Sequence, residues 1–135
     1  MQELSLILQK HHFQAAFQPT KEIAVKALQE RFNKFGPRFE SRLSKNVLCT
    51  GINLTFADVL LAKAINSYLE WTPDILDKTP FLHDLYKKVI TTSGISDYLK
   101  SPQRYSMSGS NYVIACARVL QRALPPHIPD PNRFI

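Results

Sequence analysis

Gly51-Ile52-Asn53-Leu54-Thr55-Phe56-Ala57-Asp58 reads as the start of a helix. Thr55 and Asp58 stand three apart, the spacing at which an N-cap hydroxyl meets the third amide of a helix. The third residue's carboxylate can then reach back to the cap. Leu54, just before the cap, can pack on Val59 as a hydrophobic staple, and Asp58 carries negative charge where the helix dipole favours it. Val59, Leu60, Leu61, Ala62, Ala64, Ile65, Tyr68 and Leu69 follow, with Lys63, Asn66, Ser67 and Glu70 recurring as one polar stripe. That pattern predicts a helix in the middle of a bundle.

Upstream, Leu4, Ile7, Leu8, Phe13, Ala16 and Phe17 give a helix from Gln2 to about Ala16, broken by Gln18-Pro19-Thr20. The chain enters this run directly at Met1, which suggests a piece of something longer. Thr20 caps a second helix whose predicted buried face is Ile23, Ala27, Leu28, Phe32, Phe35, Phe39 and Leu43. Gly36-Pro37 lies inside that period, so a kink is expected there rather than an end. A basic stripe, Arg31, Lys34, Arg38, Arg42 and Lys45, runs beside it. Glu30 and Glu40 interrupt the stripe, and no exposed aromatic is interleaved, so a solvated face fits better than a nucleic-acid site.

Downstream, Trp71-Thr72-Pro73 opens a turn. Thr79 is the expected cap of a helix beginning at Pro80 and burying Phe81, Leu82, Leu85, Tyr86, Val89 and Ile90. A short helix at 95–99 follows. After a polar crossing from Gln103 to Gly109, Ser110 caps a last helix bearing Tyr112, Val113, Ala115, Cys116, Val119 and Leu120. Pro125, Pro126, Pro129 and Pro131 make residues 125–135 a non-helical tail, expected to be mobile. No alternating strand pattern occurs. The expected architecture is all-α: five or six helices over residues 1–124 around a buried central helix.

With 135 residues, 44% apolar and 21% charged, the chain fits one globular domain. Its formal charge of +6 supports only non-specific attraction to anions. Cys49 and Cys116 sit in apolar company, as buried thiols of a reducing compartment do. No apolar run is long enough to span a membrane, and no signal segment opens the chain, so a cytoplasmic protein without nucleic-acid or membrane partners is expected. His11 and His12 point about 100° apart on a helix and make poor joint ligands. His83 and His127 stand alone. With no phosphate loop, nucleophile elbow or paired carboxylates, the residues offer neither a catalytic centre nor a metal site.

The motif G-x-x-L-[S/T]-x-A-D at 51–58 resembles the core helix start of the C-terminal domain of glutathione transferases. Phe35-Gly36-Pro37-Arg38-Phe39-Glu40 is similar to that family's aromatic-x-Pro-x-Phe-Glu segment, and Thr79-Pro80-Phe81-Leu82 to the start of its following helix. Tyr98 to Arg104, Met107 and the Tyr112–Leu120 stretch resemble the alpha-class closing helix. Ile52 stands where Asn is usual, and Tyr105-Ser106 where two prolines are, which alters the expected lid geometry.

The resemblance implies the helical half of an enzyme that joins the thiol of glutathione to hydrophobic electrophiles, in detoxification. An N-terminal thioredoxin-like domain that activates the thiol would be absent here. It further implies cytoplasmic location, dimerisation with another transferase subunit, and glutathione as co-substrate without a metal. Glu3 and Lys34 would contact glutathione across the dimer, while Leu8, His12, Met107, Tyr112, Ala115 and Val119 would line the electrophile pocket. On the residues alone, Glu3 is equally a first-turn carboxylate, Lys34 a solvated lysine, and the apolar six core positions. A non-catalytic interaction module of the same fold is the alternative reading.

Overall fold

The computed structural model describes residues 17, 18, 20–104 and 110–119. Among these, five α-helices follow one another: α1 (Lys21–Leu43), α2 (Phe56–Leu69), α3 (Pro80–Ile90), α4 (Ile95–Lys100) and α5 (Ser110–Val119). No strand occurs among the described residues. The single β-bridge, Leu48 with Gly51, closes a tight turn ahead of α2. The all-α expectation is met. The helix expected at 2–16 and the tail at 125–135 lie outside the described residues.

Thr20 caps α1 as expected, its Oγ1 accepting from the Ile23 N–H at 3.3 Å. The helix runs unbroken through Pro37. Leu28, Phe32 and Leu43 of the expected buried face are buried, whereas at the start of the helix Ala24 takes the place expected of Ile23 and Ala27. Ala24, Leu28, Phe32, Gly36 and Leu43 are buried, Phe35 and Phe39 are partly so, and Ile23 is 46% exposed. Ala27 is exposed too. The inner row steps by four from Ala24 to Gly36, and Ile23 lies about 100° away from it. Hydrophobicity ranked Ile above Ala, but the small side chain faces the core. Gly36 is needed for the same reason: a Cβ there would stand 2.8 Å from Phe32 Cε1.

The Phe32 ring meets Tyr68 of α2 edge-on, centroids 5.8 Å apart and planes at 61°. Leu61, Ala62, Ala64, Ile65 and Tyr68 carry the dry face of α2. That face is narrower than the sequence suggested: Val59, Leu60 and Leu69 are half-buried, and Phe56 is 75% exposed. The backbone hub is α3, which lies against α1, α2 and α4 through Leu82, Leu85 and Val89. Each such leucine or valine contributes about 2 kcal/mol of burial. Against expectation, Phe81 is 44% exposed.

The start of α3 corrects a second expectation. Thr79 is buried, and its hydroxyl donates backward to the Leu76 carbonyl at 3.2 Å, making no side-chain cap. Glu40 of α1 does that work from outside the helix. Its two oxygens accept the Phe81 and Leu82 N–H groups, each at 2.9 Å. Pro80 at the first position has no N–H to satisfy. Gly94, at φ +80°, supplies the left-handed residue from which α4 starts.

Candidate functional site

The sequence before α2 is organised by one carboxylate. Asp58 is fully buried. Its Oδ1 accepts the Cys49 N–H at 2.7 Å, and its Oδ2 accepts both the N–H and the hydroxyl of Thr55 at 2.8 Å. The capping box read at Thr55 and Asp58 is therefore present. It also reaches nine residues back to the bridged turn, which the motif did not reveal. Arg42 Nε donates to the Cys49 carbonyl at 3.2 Å and ties α1 to the same turn. Burial is the largest single influence on Asp58 and opposes its ionisation. The Cys49 N–H, the Thr55 hydroxyl and N–H, and the Cys49 thiol together outweigh it, so its pKa lies below the ordinary carboxylate value.

These groups are structural. Burial, with the Asp58 carboxylate beside it, pushes the Cys49 thiol up to about 12, so the sulfur stays protonated and is no nucleophile. Burial likewise pushes the Tyr68 hydroxyl up to about 12. Among the described residues no three metal-ligating side chains come together.

A different arrangement exists on the opposite edge of α2. A groove of about 380 Å³ runs between α2, the end of α3 and α4. Val59 and Ala62 form one apolar wall; Val89, Ile90, Ile95 and Leu99 form the other. The size and apolar lining are those of a ligand or docking site. A polar chain closes one end. Tyr86 Oη donates to Asn66 Oδ1 at 2.8 Å, Asn66 Nδ2 to Glu70 Oε1 at 3.5 Å, and Arg104 pairs with Glu70. Burial raises the Tyr86 pKa, Arg104 and Glu70 pulling in opposite senses. Lys63, Ser67 and Tyr98 complete the rim. Four of the α2 positions of this groove, Lys63, Asn66, Ser67 and Glu70, are the polar stripe seen in the sequence. Its α4 wall and Arg104, 34 residues from Glu70, carried no local signal.

Of the residues assigned by resemblance, Glu3, Leu8, His12 and Met107 lie outside the described residues. Lys34 is exposed on α1. Tyr112 (37%), Ala115 and Val119 (81%) are exposed on α5, and among its described side chains Val113 is buried, packed with Phe17. Leu54 is 40% exposed and Val59 half-buried. Of the basic stripe, Arg31 stacks over the Phe35 ring at 4.5 Å, while Lys34, Arg38 and Lys45 are exposed.

One family model matches the chain that folds into this helical bundle. The model for the glutathione S-transferase C-terminal domain matches residues 8–102. The chain belongs to that family. The match takes in α1 to α4 and the whole groove apart from Arg104. No curated protein matches the chain.

Proposed function

We propose that this glutathione S-transferase C-terminal domain serves as the electrophile-side half of a glutathione transferase, its open groove on α2 seating a thioredoxin-like domain. The observation behind this is the family match together with the groove of about 380 Å³ between Val59 and Ala62 of the core helix and Val89, Ile90, Ile95 and Leu99 opposite. In the complete enzyme the thioredoxin-like domain would bind glutathione and lower its thiol pKa by hydrogen-bonding the thiolate. The helical half would hold an apolar electrophile near the sulfur. The cations on α1, Lys34 among them, suit the carboxylates of glutathione. Leu8, His12, Met107, Tyr112, Ala115 and Val119 are the proposed pocket residues, with Glu3 and Lys34 reaching glutathione across a dimer. On this reading the groups that activate the thiol belong to the thioredoxin-like domain, and residues 1–135 alone are expected to be inactive.

The test is conjugation of glutathione to a chlorinated dinitrobenzene. The chain alone should show no turnover. Joined behind the thioredoxin-like domain of an alpha-class transferase it should gain turnover, and Ser67→Glu in the groove should lower that gain. Full turnover by the isolated chain would overturn the reading. A folded but inactive fusion would favour a non-catalytic interaction module.

A further inference from the structure

Four of the nine exposed large apolar side chains among the described residues fall within ten positions: Val47 (60%), Ile52 (79%), Leu54 (40%) and Phe56 (75%). They are neighbours in space as well. The Leu48–Gly51 bridge, with N–H to O=C distances of 2.9 and 3.3 Å, sets Val47 and Ile52 as the next facing pair. Their side chains stand on the face opposite buried Leu48. Asp58 holds Cys49 with one oxygen and Thr55 with the other, so Phe56 rises within a carboxylate's width of the same turn.

Scattered exposed hydrophobes need no explanation, but a contiguous set on a rigid mount does. Ile52 and Phe56 are at least 75% exposed, more open than the lining of a ligand pocket would be. Arg42 on α1 and Lys45 on the following turn flank this set; the acids beside it are the buried, hydrogen-bonded Asp58 and, across a small hollow shared with Val47 and Phe81, Asp84 of α3. The chain as a whole carries +6, which opposes pairing of two such patches and favours an anionic surface.

We propose that the patch formed by Val47, Ile52 and Phe56, flanked by Lys45 and Arg42, is a contact site for the surface of an anionic lipid bilayer. Apolar side chains would enter the headgroup boundary while the cations meet the lipid charge. Such a contact requires no long apolar run. The proposal is independent of the transferase reading.

Co-sedimentation of the full chain with phosphatidylcholine vesicles, with and without phosphatidylserine, tests it. Binding is expected only when phosphatidylserine is present, and it should weaken as salt rises. Ile52→Asp with Phe56→Asp should lower partitioning about tenfold, and Lys45→Glu should lower it less. The thermal midpoint should hold in these variants, since the three side chains are exposed and an acid at the first helical position is favoured. No wild-type binding to phosphatidylserine vesicles, or undiminished binding by the double variant, would overturn it. So would concentration-dependent self-association that the double variant abolishes, since this would assign the patch to a second copy.

Discussion

Two helix starts in this domain solve one problem in opposite ways. At α2, the unsatisfied amides are met from within: Asp58, on the helix itself, takes the Thr55 N–H and hydroxyl and extends to Cys49. At α3, Pro80 removes one donor, and Glu40, forty-one residues from Phe81, takes the next two. The first cap is buried and fixes a local turn. The second is half in solvent and fixes the packing of α1 on α3. A local cap can form as soon as its own turn does, whereas a distant cap forms only after two helices have met.

Removing the α2 cap should therefore cost most. Asp58→Ala strands buried N–H groups at Cys49 and Thr55, and about 3 kcal/mol of stability should be lost. Urea unfolding would measure this as a lower midpoint with little change in slope. Because the folded pKa of Asp58 lies below its unfolded value, its contribution is complete above about pH 4 and disappears as pH falls through the folded pKa. The acid limb of the stability profile should be shallower in Asp58→Asn than in the wild type.

Glu40→Ala comes next, at about 1–2 kcal/mol. Water can reach the Phe81 amide that it frees, so the loss should be smaller than at Asp58. Urea midpoints of the two variants side by side would show the order. If Glu40→Ala cost more, the contrast between a buried and a half-wet cap would fail.

Gly36→Ala sharpens the comparison along α1, on the same helix as Glu40. Alanine gains helix propensity of about 1 kcal/mol. Its methyl, however, would meet the Phe32 ring at 2.8–3.1 Å, and Tyr68 backs that ring. A net loss near 1 kcal/mol is expected, and Phe32→Leu in the same background should recover part of it. The smallest effect is expected from Tyr86→Phe. It removes the bond to Asn66 at the groove edge and should cost about 1 kcal/mol or less, with thermal unfolding as the readout.

The same contrast explains what could be read from the chain. Thr55 and Asp58 are three apart, so spacing alone exposed the cap and the helix, while the family was reached through the resemblance of the motif at 51–58. Glu40 and Phe81 share no local pattern. Thr79 ahead of Pro80 looked like the cap, yet its hydroxyl turns back to Leu76. On α1, the choice between Ile23 and Ala24 depended on how closely α1 approaches its neighbours, and composition does not encode that distance. The groove was half legible. Lys63, Asn66 and Ser67 marked its α2 edge, but the α4 wall and the Glu70–Arg104 pair arise only when the chain folds back. The exposure of Val47, Ile52 and Phe56 has no pattern in the sequence, because it depends on how the 48–51 turn and Asp58 set the chain ahead of α2.

The turn at 48–51 and the cap of α2 depend on a single carboxylate, Asp58, that joins them. Amide hydrogen exchange on the wild-type chain tests that junction directly. The Cys49 and Thr55 amides, both outside any helix, should exchange as slowly as the core amides of α2, such as Ile65. Exchange of both at the rate of an open loop would show that Asp58 does not hold them, and the account of this junction would fail.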